Sequence, residues 1–179
     1  MRIISGQYGK RRFPLPTSFK GRPTTDMAKE GLFNILANRI DWEQTRVLDL
    51  FAGSGSIGFE CLSRGAHEVL AVEKDPRHAS FIKSVEDALS DHNHKVQTRD
   101  ALKYIEESRA DQPFDLIFAD PPYALPQLPD LPGMILGSSL LAPDGLLIVE
   151  HPRDISFGDN ECFVEVRRYG SVHFSFFTK

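Results

Sequence analysis

The chain predicts an α/β fold: a mostly parallel sheet with helices on both faces, finished by an antiparallel hairpin at its C-terminal end. Three observations support this. From Arg46 onward, short apolar runs alternate with helix-length amphipathic stretches, the pattern of βαβ units. A glycine-rich turn joins the first apolar run to the first helical stretch, and two β-rich runs meet at Gly170-Ser171, a hairpin signal.

In chain order, Gly6 to Pro23 holds three glycines and three prolines among basic residues, which predicts an exposed, partly mobile loop. Leu32, Phe33, Ile35 and Leu36 give Thr25 to Ile40 the spacing of a helix, with Thr24 or Thr25 as N-cap. Five strands are expected to run parallel: residues 47–51, 69–73, 95–98, 114–119 and 146–150. Helices are expected at 57–63, 76–89, 101–108 and 128–139, and Pro76 after Asp75 suits a first helical position. The hairpin strands, 162–169 and 172–178, bring the total to seven. A two-halved dinucleotide fold would continue with further βαβ units, whereas a parallel sheet ending in an antiparallel hairpin is the Rossmann-like class I methyltransferase arrangement.

At 179 residues and 41% hydrophobic, the chain suits one domain, with 1–45 as a basic extension and 46–179 as the core. It shows no apolar run near the ~20 residues of a membrane span and no signal-peptide core at Met1 to Gly6, so a cytoplasmic location is expected. Cys61 and Cys162 form no CxxC pair, and the six histidines lack zinc spacing; His92 and His94 flank Asn93 in what reads as a loop, and no metal is expected. The net charge of -4 argues weakly against a nucleic-acid partner. Its distribution argues otherwise, because Arg2, Lys10, Arg11, Arg12, Lys20 and Arg22 precede the first acid. Such an arm is either a solvated tail or a phosphate-binding surface. The fold needs no second copy to bury its core, so a monomer is expected.

The segment Asp49-Leu50-Phe51-Ala52-Gly53-Ser54-Gly55-Ser56-Ile57-Gly58 turns a buried strand into a helix. Gly53 and Gly55 allow close approach of a ligand, Gly58 allows the helix to pack on the sheet, and the helix N-terminus offers free N–H groups. The spacing also satisfies the dinucleotide fingerprint, with Glu73 near the ribose-binding distance. Two details favour S-adenosylmethionine: Asp49 lies four positions before the first glycine, suited to an amino-acid ammonium, and Phe51-Ala52 makes the turn methyltransferase-like. Asp49 could instead be satisfied by local N–H groups. Glu73 ends the second strand, where it can accept two ribose hydroxyls. Asp100 can accept from an adenine amino group or cap the helix after it.

The fourth strand leads into Asp120-Pro121-Pro122-Tyr123. Two prolines stiffen the backbone without contributing an N–H, leaving the Asp120 carboxylate and the Pro121 carbonyl as acceptors for one amino group. Tyr123 can stack on a base, worth about 1–3 kcal/mol. An exocyclic amino group is a poor nucleophile because its lone pair is delocalised. Two acceptors orient it and favour the positive charge that develops on attack. Asp120 positions more than it deprotonates, since an ordinary aspartate has a pKa of about 3.9.

On these residues the chain resembles the bacterial 16S rRNA guanine-N2 methyltransferases of the RsmD type. The resemblance includes Arg2 to Gly6, Arg22 to Asp26, Glu30 to Leu36, Asp49 to Gly58, Ser63 to Ala66 and Asp120 to Tyr123. It implies methyl transfer from S-adenosylmethionine, yielding S-adenosylhomocysteine, to N2 of a guanine in small-subunit rRNA, free or in a partly assembled subunit. The expected cofactor set is Asp49, Phe51, Ala52, Gly53, Gly55, Glu73, Lys74, Asp100 and Ala101. Lys10, Arg11, Arg12, Arg22, Pro23 and Thr24 are expected at the RNA; Tyr8, Phe13 and Phe19 could stack on bases or pin the loop. Met27-Ala28-Lys29 replaces a more arginine-rich segment of the family. Rival readings are an adenine-N6 methyltransferase, a nicotinamide oxidoreductase that leaves Asp120 to Tyr123 unexplained, and a non-catalytic RNA-binding module.

Overall fold

The computed structural model describes residues 1–17, 19, 24–107 and 112–179. Its sheet is centred on β1 (Arg46–Leu50), flanked by β2 (Glu68–Glu73) and β4 (Phe114–Ala119). β3 (His94–Thr98) lies beyond β2 and β5 (Leu141–His151) beyond β4, all parallel. β7 (Val172–Thr178) runs antiparallel to β5, and β6 (Phe163–Tyr169) pairs antiparallel with β7 at the edge. The strand order is β3-β2-β1-β4-β5-β7-β6, and the seven strands, mostly parallel with an antiparallel C-terminal hairpin, are those that the sequence predicts.

Both faces of β1, β2 and β4 are largely buried, which is why these strands read as near-continuous apolar runs, whereas β3 at the edge is polar and mostly exposed. Val47 of β1 faces α1 (Asp26–Leu36), α2 (Ser56–Ser63) and α3 (Pro76–Leu89), packing with Phe33, Phe59 and Ile82. Leu48 and Leu50 face the layer of α4 (Ala101–Glu107) and α5 (Leu131–Gly137), with Tyr104, Ile105 and Ile135. Each large side chain buried in these layers contributes about 1.5–3 kcal/mol.

Several boundaries differ from those expected. α1 ends at Leu36 rather than Ile40, because the Asn38 and Arg39 N–H groups bond carbonyls three residues back, tightening the chain into a turn. α5 starts at Leu131 rather than Leu128, since Pro132 has no N–H for an interior bond and fits only a first turn. β5 begins five residues earlier than read, its start hidden by Pro143-Asp144-Gly145, where Asp144 has φ 61°. His94 opens β3 instead of lying in a loop.

The expected loop is exposed at residues 6, 7 and 10–12 but is tied down: residues 10–13 pair back to Ile3 and Met1, and Gln7 and Tyr8 dock on α2. Gln7 N–H donates to the Ser63 carbonyl at 2.7 Å and Tyr8 N–H to Ser63 Oγ at 3.0 Å. Gly6 has φ 81°, and a Cβ there would fall 1.8 Å from the Ser63 carbonyl oxygen, so only glycine fits. Beneath this turn the buried Glu60 accepts from the N–H groups of Ile4 at 2.7 Å and Ser5 at 3.1 Å. The buried Lys29 ammonium donates to the Arg2 carbonyl at 2.5 Å and Ser56 Oγ at 2.9 Å. No helix among the described residues is long and apolar enough to cross a membrane.

Candidate active site

A cleft of 570 Å³ opens at the carboxyl ends of β1 and β4, where the strand order reverses. β1 enters it through three left-handed residues, Phe51 at φ 59°, Gly53 at 56° and Gly55 at 72°. Glycine takes that conformation freely; Phe51 carries a cost of about 1–2 kcal/mol. Gly53 lines the cleft, as do Phe51 and Ala52. Gly55 packs behind it, where a Cβ would lie 2.9 Å from the Phe59 ring. At Gly58 a Cβ would lie 2.8 Å from His94 Nε2 and 3.1 Å from Asp49 Oδ2, so its absence brings α2 against the sheet.

The turn is held by the carboxylates it surrounds. Glu73 Oε2 accepts from Gly53 N–H at 2.8 Å, and Oε1 from Asp75 N–H at 2.7 Å. Asp49 Oδ2 accepts from Gly58 N–H at 3.0 Å, the local partner that the sequence left open, and its side chain also lines the cleft. Burial pushes its carboxyl up to about 7; the Gly58 N–H works against that and the charge of Glu73 adds to it.

Across the cleft, Asp120 follows β4, its N–H donating to the Leu50 carbonyl at 3.3 Å. Burial holds its carboxyl well above the usual range, and the charges of Glu150 and then Asp49 push further. Pro121 and Pro122 continue the wall, and Tyr123 stands 45% exposed at the mouth. The Tyr123 hydroxyl donates to Glu150 Oε1 at 3.1 Å, and the Thr24 hydroxyl donates to Oε2 at 2.9 Å.

Other expected residues are placed as follows. Lys74 and Ala101 line the cleft. Asp100 is not among the lining residues; its Oδ1 caps α4, accepting from Leu102 N–H at 3.0 Å and Lys103 N–H at 3.2 Å. Lys10, Arg11 and Arg12 are exposed on the docked N-terminal turn and do not line the cleft. Arg22 and Pro23 lie outside the described residues. The Tyr8 hydroxyl donates to Asp91 at 2.7 Å and Phe13 packs on the core, so both pin their segment. Phe19 lies 4.3 Å from the His78 ring and lines the cleft. His94 is buried, with Nδ1 2.8 Å from Glu86 Oε1 and its ring stacked on Phe59. Among the described residues no group of three His, Cys, Asp or Glu side chains could hold a metal ion.

Sequence reasoning missed Glu150. Its signal was an acid ending a four-residue apolar run, at the same sheet edge as Glu73. With it, the described lining carries five carboxyl groups, Asp49, Glu73, Asp75, Asp120 and Glu150, against Lys74 and His78. Such a field favours a ligand bearing an ammonium and a sulfonium and opposes the two negative charges of a dinucleotide's pyrophosphate.

The family described as Conserved hypothetical protein 95 matches residues 1–178. The chain is 35% identical over 156 residues to the Ribosomal RNA small subunit methyltransferase D of Haemophilus influenzae, covering 86% of this chain and 80% of that protein. Among solved structures, a hypothetical protein of a Thermus species matches with a TM-score of 0.86 at 30% identity, covering 99% of this chain and 98% of that one. The structure of SMU.776 in complex with S-adenosylhomocysteine shares the fold, with a TM-score of 0.68 at 17% identity, covering 84% of this chain and 49% of that one. The sheet is that of the class I methyltransferases, and the chain belongs to the Conserved hypothetical protein 95 family, the RsmD family of small-subunit ribosomal RNA methyltransferases.

Proposed function

We propose that the protein is a cytoplasmic, monomeric enzyme that transfers a methyl group from S-adenosylmethionine to N2 of a guanine in 16S rRNA. The observation that carries the reading is that two acids, Asp120 and Glu150, line one acidic cleft close enough for the charge of one to act on the other, beside the exposed ring of Tyr123. The relative's name supports small-subunit rRNA as the substrate. The fold shared with a structure that holds S-adenosylhomocysteine supports the cofactor.

Asp49 would hold the cofactor's ammonium, Glu73 its ribose hydroxyls, and Ala101 would border its adenine, with Asp100 fixing the start of α4 behind it. Bound S-adenosylmethionine supplies a methyl group made electrophilic by its sulfonium. The target base leaves its stack at a cost of a few kcal/mol and lies on Tyr123. The Asp120 carboxylate and the Pro121 carbonyl accept the two N2 hydrogens and aim the nitrogen at the methyl carbon. As the N–C bond forms and the S–C bond breaks, the nitrogen becomes cationic and acidic. Asp120, made more basic than an ordinary aspartate by burial, takes its proton.

The second carboxylate bears on which base fits. Guanine offers N1–H and the N2 amino group side by side, two adjacent donors for Asp120 and Glu150. Adenine places an unprotonated N1 beside its amino group, and that lone pair would face a carboxylate.

The test is methyl transfer from labelled S-adenosylmethionine to 16S rRNA and to small subunits from cells lacking the protein, followed by nucleoside analysis. The expected product is N2-methylguanosine, absent with Asp120→Ala. N6-methyladenosine would establish the adenine reading, and bound cofactor with no transfer to either substrate would establish a non-catalytic module.

A further inference from the structure

A second, smaller cavity lies behind the wall of the cleft. Side chains alternate across the sheet along β5 and β7, so Glu150 and Val172 line the cleft while their neighbours His151 and His173 face the other side. There they border a cavity of 110 Å³, together with Arg153, Ser156, Arg168 and Ser175. No acid lines it among the described residues. The adjacent Asp154 is exposed and outside the lining.

The cavity has a fixed floor and two unpaired guanidinium groups. His151 spends both ring nitrogens internally, with Nδ1 2.9 Å from the Pro152 carbonyl and Nε2 2.8 Å from Ser175 Oγ, so it is a packed base for the site. The side chains of Arg153, Arg168 and His173 have no hydrogen-bond or ion-pair partner among the described residues. Arg167, one position earlier on β6, shows the usual outcome: it pairs with Glu165 at 2.5 Å. The His173 ring has its pKa lowered, first by burial and then by the charges of Arg168 and Arg153, so the two guanidinium groups act on one point. Two unpaired arginines and an imidazole around so small a space form a fork for a tetrahedral oxyanion.

We propose that this cavity is a phosphate subsite that holds one backbone phosphodiester of the RNA beside the target nucleotide. The inference rests on RNA being the substrate. Its placement answers an electrostatic problem: the cleft is lined by Glu73, Asp75 and Glu150 as well as the two raised acids, against Lys74, and the ionised carboxylates repel a phosphate backbone. A cationic seat one residue from Glu150 and Val172 would anchor the strand while the base alone enters the cleft. The cavity's size suits one phosphate and excludes a nucleotide.

The experiment is filter binding of transcribed 16S rRNA across about 50–200 mM KCl, with Kd for S-adenosylhomocysteine as the control for folding. Arg153→Gln with Arg168→Gln should weaken RNA binding about ten-fold. It should also reduce the slope of log K against log salt by about 0.7–0.9, the value of one phosphate. Affinity for S-adenosylhomocysteine should be unchanged, and the double lysine variant should restore the slope. An unchanged slope, or loss that lysine does not restore, overturns the subsite, as does failure of the unaltered protein to bind either free rRNA or small subunits from cells lacking it. A slope that responds while the unaltered protein transfers no methyl group would overturn the proposed reaction and leave the subsite standing.

Discussion

Gly58 N–H donates to Asp49 Oδ2 across 3.0 Å, so the helix after the glycine turn steadies the carboxyl group delivered by the strand before it. That one bond does not offset the desolvation of a fully buried acid, and the Asp49 pKa stands at about 7 in the folded protein.

Stability should therefore depend on pH through Asp49, in a stated direction. The folded pKa is above the unfolded value, so the contribution is complete below about pH 4 and is lost as pH rises to about 7. The loss is of order 4 kcal/mol. Denaturant unfolding of the cofactor-free protein should show the unaltered chain losing stability relative to Asp49→Asn over that window. Parallel curves for the two proteins would show that folding leaves the Asp49 pKa at its unfolded value.

Gly58→Ala sets two effects against each other. Helix propensity favours alanine by about 1 kcal/mol, but the new methyl meets His94 Nε2 at 2.8 Å and Asp49 Oδ2 at 3.1 Å. His94 is held by Glu86 and cannot swing away freely. Overpacking of about 1–3 kcal/mol should win, giving a lower Tm and weaker binding of S-adenosylhomocysteine. A raised Tm would show that α2 can lift from the sheet.

The buried pair beneath the N-terminal turn should respond asymmetrically. Glu60→Ala strips the acceptor from Ile4 and Ser5 N–H and leaves the Lys29 ammonium buried without its carboxylate at 3.8 Å. It should cost about 3–5 kcal/mol. Lys29→Met should cost less, because Arg64 remains 3.1 Å from Glu60. Urea midpoints in the reverse order would show that the lysine is the anchor.

Glu150→Ala frees the Tyr123 and Thr24 hydroxyls from their shared acceptor. In the transfer assay kcat should fall about a hundred-fold, a loss of about 2.7 kcal/mol in the transition state. Kd for S-adenosylhomocysteine should stay within about two-fold. A cofactor-binding defect of the same size would place Glu150 with the cofactor and not with the base.

The parts of this architecture legible in the sequence are those with few physical alternatives. Gly53 and Gly55 could be read because only glycine adopts their backbone freely, and the strands around β1 because both faces are buried. The seat of Gly6 on Ser63 could not be read, since it depends on a partner 57 positions away. Nor could the bond from Thr24 to Glu150, which spans 126 positions and requires the neighbours of β5 to be known. Asp100 fits two roles with one local pattern, and the cap is the one its hydrogen bonds display.

The cleft draws its walls from Phe19 near one end of the chain to Val172 near the other. No partly folded intermediate lacking the final hairpin can present it whole, so a ligand for the cleft discriminates between the finished protein and anything short of it. At a hundred times its Kd such a ligand adds about 2.7 kcal/mol to the folded state alone. The supply of methyl donor in a cell would thus set how long each copy survives unfolding and proteolysis, as well as how fast it works.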